Sequence, residues 1–262
     1  MATKKITDVT IVTSIAGTDN LLINQGSSAK QVAAQKLLDL GSAASLAAAK
    51  TALQPSITDG VFVMYHRKSN NYPLAATVEG WKAIENTGEI ADGVLVFQGA
   101  KHLVIAPTES FLYFNSASAN VLVNTAVTDR LIAMSDWDGK TKTAAICANA
   151  TLSADGAGYA PGWCHVYSRT NVNGFGLTAG KWWLPSVGEL VFLWANKKKI
   201  NLALSQISGA TQLTESAYWS STELGSTYAW YLNLSNGTLN GGGGYARSSA
   251  QFYVRSVSAF IS

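Results

Sequence analysis

Gly180-Lys181-Trp182-Trp183-Leu184-Pro185-Ser186-Val187-Gly188-Glu189-Leu190 carries a helix start directly behind a pair of tryptophans. Ser186 and Glu189 stand three apart, the spacing of a capping box, in which the glutamate reaches back to the serine's backbone N–H. Glu189 therefore reads as a cap rather than a catalytic acid. Leu190, Leu193 and Trp194 supply a buried face to the helix. Lys197, Lys198 and Lys199 fall near its C-terminal end, where positive charge complements the dipole.

Downstream, Tyr218-Trp219-Ser220-Ser221-Thr222 leads into Ala229-Trp230-Tyr231-Leu232-Asn233-Leu234. In an extended chain alternate residues share a face, which puts Trp230, Leu232 and Leu234 inward and Tyr231, Asn233 and Ser235 outward. Asn236-Gly237 is the strongest two-residue hairpin signal. The return, Thr238-Leu239-Asn240, enters four consecutive glycines, and Phe252-Tyr253-Val254-Arg255-Ser256-Val257 reads as a last strand.

Upstream, Gly60-Val61-Phe62-Val63-Met64-Tyr65, Gly93-Val94-Leu95-Val96-Phe97 and His102-Leu103-Val104-Ile105-Ala106 read as short strands separated by Gly, Asn and Asp. Residues 1–60 hold no Phe, Trp or Tyr, although aromatics make up 10% of the chain. Aromatic rings dominate core burial, so residues 1–57 are expected to be an attachment or oligomerisation arm that lacks a large core. Within it a strand is expected over 8–15, turn chemistry at Gly17-Thr18-Asp19-Asn20, a helix over 28–40 capped by Ser28 and ended by Gly41, and a second helix over 42–53. The helices suit packing against neighbouring chains or against the domain that follows.

The 262 residues are 47% hydrophobic and 13% charged, with a net charge of +3. That composition excludes a mostly disordered chain, and the absence of a broad basic face argues against nucleic-acid binding. There is no run of eighteen apolar residues and no secretory start, so synthesis in the cytoplasm and no insertion into membrane are expected. Cys147 and Cys164 are too few for a disulfide scaffold. They read as buried thiols or as one pair.

Recognisable catalytic chemistry is missing. His66, His102 and His165 are widely separated, no Gly-x-Ser-x-Gly elbow occurs, and the four glycines precede no Lys-Ser/Thr and no helix. Asp136-Trp137-Asp138-Gly139 reads as a turn rather than a calcium loop, which would need a further oxygen ligand and a closing Glu. The chain is therefore read as a non-enzyme without metal or cofactor. The last part of the sequence does hold the Tyr, Ser, Asn and Gly palette of adaptable binding surfaces, although a plain glycine-rich loop with structural tyrosines has the same composition.

The string from Gly180 to Leu190, with Tyr218-Trp219-Ser220-Ser221-Thr222-Glu223, Ala229 to Gly237 and Tyr253-Val254-Arg255-Ser256-Val257, resembles the C-type-lectin-fold variable proteins of diversity-generating retroelements. The resemblance covers about residues 125–262, Asp136-Trp137-Asp138-Gly139-Lys140 included, and is loose over 58–125. It implies an α+β, C-type-lectin-like domain (the fold that formylglycine-generating enzymes share) over 58–262, with a variable region at about 219–257. In that family error-prone copying at template adenines turns Asn codons into many residues but not Lys, Glu, Gln, Met or Trp. Residues 224–228, Tyr231 and 240–250 obey that exclusion, and Gln251 breaks it.

The resemblance thus implies a ligand-binding surface made of Leu224, Gly225, Ser226, Thr227, Tyr228, Tyr231, Asn240, Gly241, Gly242, Gly243, Gly244, Tyr245, Arg247, Ser248 and Ser249. Tyr228, Tyr231, Tyr245 and Arg247 are the expected anchors. Calcium-dependent sugar binding is not implied, because neither Glu-Pro-Asn nor Trp-Asn-Asp occurs, and a fold does not carry an activity with it. The opening, from Ile6-Thr7-Asp8 to Leu21-Leu22, resembles the starts of phage tail-fibre and tail-tip proteins. Together the two resemblances imply a trimeric phage receptor-binding protein, sited in the virion, that joins the tail through its arm and binds a host-cell-surface protein or glycan. A bacterial adhesin or glycan-binding module of the same fold, without diversification, is the alternative.

Overall fold

The computed structural model describes residues 4–5, 20–25, 28–33, 59–116, 120–242 and 245–260. The chain divides into two compact units, Met1–Ile57 and Thr58–Ser262. In the first, β1 (Lys4–Lys5) runs parallel to β2 (Asn20–Gln25), and β2 pairs antiparallel with β3 (Ser28–Ala33) from Asn20 opposite Ala33 to Gln25 opposite Ser28. This corrects the helix expected from residue 28, whose opening segment is a strand. Ala, Lys and Gln favour helix by only tenths of a kcal/mol each, about 0–0.7, and a continuous ladder with β2 outweighs that preference. The strand expected over 8–15 and the helix over 42–53 lie outside the described residues.

The second unit is built on two five-stranded sheets. One has the order β15-β7-β6-β4-β5 and is antiparallel throughout: β4 (Gly60–His66), β5 (Pro73–Thr77), β6 (Ala91–Gln98), β7 (Lys101–Ile105) and β15 (Val257–Ser258). The three strands read upstream are β4, β6 and β7. The other sheet has the order β13-β12-β11-β14-β8: β8 (Ser110–Tyr113), β11 (Ala217–Glu223), β12 (Ala229–Asn233), β13 (Leu239–Asn240) and β14 (Gln251–Val254). Only the β11–β14 pair is parallel there.

The last strand expected from Phe252 to Val257 is in fact two, β14 and β15, in different sheets. Arg255 holds the crossing between them. Its buried guanidinium donates to the carbonyls of Ala106, Thr211 and Gln212 and to the Glu109 carboxylate at 2.7–3.1 Å.

Helices α1 (Val78–Glu85), α2 (Arg130–Met134), α3 (Gly139–Ala148), α4 (Ala160–Val166) and α5 (Val187–Leu204) complete the unit with a ribbon of β9 (Arg169–Thr170) and β10 (Gly176–Leu177). Helices beside antiparallel sheets make this an α+β architecture. α5 begins behind the Ser186–Glu189 capping box and packs against β4 and β6 of one sheet and β11 and β12 of the other. Leu190 and Leu193 are buried as expected, but Trp194 is 39% exposed. Its ring covers Gly237, where a Cβ would stand 2.4 Å from it. The three lysines are not in the last turn, because the helix continues to Leu204. Lys197 instead donates to the Leu234 carbonyl and to Glu215, both at 2.6 Å.

At the start of α5 the chain closes on itself. The Glu189 carboxylate accepts from the Ser186 N–H at 2.7 Å and from Trp183 Nε1 at 3.1 Å. Ser186 Oγ donates to the Asp136 carbonyl at 2.7 Å, and Thr222 and Lys142 both bond the Asp136 carboxylate. The Asp136-Trp137-Asp138-Gly139 turn is thereby tied to α5 and β11. A Cβ on Gly139 would fall 2.2 Å from Glu189 Oε2, and one on Gly188 would fall 2.4 Å from the Asp136 carbonyl oxygen.

Both faces of the β12 sheet are covered. Trp230, Leu232 and Leu234 belong to the core shared with α5, and Trp219, Ala229, Tyr231 and Val254 to a second core with Ile146 of α3, Cys164 of α4 and Leu184. The Asn236-Gly237 hairpin is present, with Gly237 at φ +74°. Asn236 has no positive φ, so the connection over 234–238 is a longer loop rather than the two-residue turn, closed by Gly237 N–H to the Asn233 carbonyl at 2.8 Å.

Candidate binding surface

β11 ends in an irregularity between Trp219 and Glu223, and the chain then folds back on itself. The Leu224 and Gly225 N–H groups donate to the Tyr228 carbonyl at 3.0 and 3.2 Å, closing the 224–228 loop. β12 follows, and Tyr231 lies opposite Asn240 of β13. These three pieces meet around an open depression of about 490 Å³ lined by Thr128, Arg130, Leu224, Trp230, Tyr231, Asn240, Gly241 and Gly242. Leu224, Tyr231, Asn240, Gly241 and Gly242 were all expected from the sequence.

The remaining expected residues are distributed unevenly around it. Tyr245 is 50% exposed, and its ring meets that of Tyr231 edge-on at 5.9 Å. Ser226 and Ser249 are exposed, whereas Gly225, Thr227, Tyr228 and Ser248 are half-buried. Gly243 and Gly244 lie outside the described residues. Two anchors need correction. Tyr231 faces away from Trp230 as the alternation required, yet it is only 8% exposed, because its ring is enclosed by Trp219, Phe252 and Tyr245 at 4.5–6.1 Å. Alternation separates faces without saying whether the second face is covered.

Arg247 is the larger correction. It is 1% exposed and forms an ion pair with Glu223 at 2.5 Å. Its other nitrogen donates to the carbonyls of Val121 and Ser226, and its guanidinium lies over the Phe114 ring at 5.2 Å. Glu223 also accepts from the backbone of Asn124 at 2.6 Å and from its side-chain amide at 3.0 Å. A buried cation persists only when paired and hydrogen-bonded. Burial lowers the affinity of this guanidinium for its proton, and Glu223 opposes that shift. The arginine therefore fastens loops 121–124 and 226–227 beneath the surface, and is not part of the surface itself.

Two lining residues, Thr128 and Arg130, were missed. They lie about a hundred positions upstream of the hairpin they face, and no local pattern signals such an approach. What is legible there is a helix start. Asp129 Oδ1 accepts from the N–H groups of Leu131 and Ile132 at 2.8 and 3.0 Å, a helix cap.

Elsewhere, His66 Nδ1 meets Asp92 Oδ2 at 2.5 Å beside the β9–β10 ribbon, and burial raises the Asp92 carboxyl above its ordinary range despite that partner. His102 stacks on Phe97 at 5.0 Å. Cys147 and Cys164 are both free thiols, and burial pushes Cys147 up to about 12. Among the described residues no cluster of three His, Cys, Asp or Glu is placed to hold a metal, and no helix is long and apolar enough to cross a membrane.

No known protein family matches the chain, and no curated protein does. Among solved structures it is similar to a fimbrial protein from Bacteroides ovatus ATCC 8483, at 18% identity and a TM-score of 0.41, over 60% of this chain and 35% of that one. This chain therefore spans about a third of that protein's length.

Proposed function

We propose that residues 58–262 are a C-type-lectin-like binding domain and that the protein is a phage tail receptor-binding protein, with a diversified surface that engages a host-cell-surface ligand. The observation that carries this reading is convergence. Leu224, Tyr231 and segment 240–242, which come from three separate pieces of the chain, border one depression on a scaffold of two sheets and α5. A concave site with a few convergent polar groups is the ordinary form of a ligand pocket. The role is binding, not turnover, and needs no cofactor. The arm would join the tail, and a trimer would multiply weak single contacts into avidity.

The test reads the DNA beside the gene for an imperfect copy of the segment that encodes residues 219–257. Mismatches confined to template adenines, at codons 224–228, 231 and 240–250, support the reading. A neighbourhood with no such copy removes diversification and leaves a fixed adhesin of the same fold.

A further inference from the structure

Among the described residues Arg130 is the only cationic one that lines the depression, and it forms no ion pair with any of them. Arg247, the cation nearest in sequence to the variable segments, is spent on Glu223. Beside Arg130, the polar residues Thr128 and Asn240 also line the cavity. The guanidinium thus offers a planar fork of donors whose natural partner is a carboxylate.

The helix that carries Arg130 is unusual in a second way. Leu131, Ile132 and Met134 are 73%, 63% and 40% exposed, and only Ala133 of α2 is buried. Met134 stands four residues beyond Arg130 and so shares its side of the helix. The cation and this apolar rim therefore belong to one short helix.

We propose that the depression receives an Asp or Glu side chain from a protein partner, gripped by Arg130, while apolar neighbours of that acid pack on Leu131, Ile132 and Met134. This rests on the binding-surface reading above and names the partner's chemistry. A carbohydrate fits less well. Trp230 and Tyr231 are only 5% and 8% exposed and present no open ring to a sugar, and hydroxyl-rich surface laid on the aliphatic rim would lose water without gaining partners. Arg, aromatic rings and Met are instead the composition enriched in protein interfaces. Arg130 lies outside the diversified segments, so the acidic preference is constant while residues 224, 231 and 240–242 decide which acidic partner is taken.

The experiment selects binders to the immobilised full-length chain from a random-peptide library, in parallel with Arg130→Glu and Leu131→Ser/Ile132→Ser proteins. The expected result is peptides with Asp or Glu beside an aliphatic residue for the native chain, and replacement of the acid by Lys or Arg for Arg130→Glu. The best native peptide should bind roughly tenfold to a hundredfold more weakly to Arg130→Gln. Peptides without acids, or the same set on Arg130→Glu, overturn the carboxylate site. Retention of acidic glycans on an array with no peptide retained overturns the protein partner. A changed oligomeric state of Leu131→Ser/Ile132→Ser overturns it too, by assigning the rim to self-association. Asn240→Ala separates the two readings: peptides whose binding ignores that change sink the binding-surface reading itself, whatever Arg130 does.

Discussion

Arg247 and Glu223 form an ion pair at 2.5 Å with side chains 1% and 0% exposed, beneath the surface to which the family resemblance assigned the arginine. Loops 121–124 and 226–227 are fastened to that pair, so it sets the level on which the outer residues stand.

Removing one member of such a pair strands the other. Arg247→Met is expected to destabilise the domain by about 3–5 kcal/mol, read as a drop in the urea midpoint. Arg247→Met with Glu223→Gln, which keeps an acceptor for the Asn124 N–H, should lose less than Arg247→Met alone. An equal or greater loss in the double variant would show that the charge pair is not what holds the loops.

Tyr231 and Tyr245 touch, yet they should behave differently. Tyr231→Ala empties a site enclosed by three rings and is expected to destabilise by about 3–5 kcal/mol, as for other buried aromatics. Tyr245→Ala removes a half-exposed ring and should shift stability by about 1 kcal/mol or less while weakening host attachment. Thermal unfolding and an adsorption assay on the same two variants check both statements.

Glu189 gives stability a pH dependence of definite sign. Burial pushes its carboxyl up from an ordinary 4.5 to about 7. In the window between those values the folded state holds the proton more tightly than the unfolded state. Its contribution is therefore most favourable below about 4.5 and is lost as the pH rises toward 7, a change of about 3 kcal/mol by the linkage relation. Glu189→Gln keeps an acceptor oxygen but cannot titrate, so denaturant midpoints measured from pH 4.5 to 7 should flatten in that variant. An unchanged slope would remove Glu189 as the source.

Gly139 and Gly188 are required by close approach, not by backbone angle. An added Cβ would meet Glu189 Oε2 at 2.2 Å in the first case and the Asp136 carbonyl at 2.4 Å in the second. Either Gly→Ala change should cost about 2 kcal/mol or more through forced displacement of the capped turn. The control is Gly158→Ala, where nothing lies within 4 Å; its melting temperature should stay close to that of the native chain.

The elements that were legible are those whose cause is local. The Ser186–Glu189 cap is a contact across three residues, the β12 faces follow from two-residue alternation, and Asn236-Gly237 marks a reversal that a hairpin uses. The helix expected from residue 28 failed because the partner strand β2 decided the conformation, and propensity was too weak to resist it.

By itself the sequence determined where α5 starts, which residues of β12 share a face, and which stretch has the composition of a binding surface. Only the tertiary structure decided that Tyr231's face is covered by a second core, that Arg247 is buried on Glu223, and that Thr128 and Arg130 complete the depression. The physical reason is range: periodicity and capping act within a few residues, whereas burial and ion pairing depend on which distant segment packs alongside.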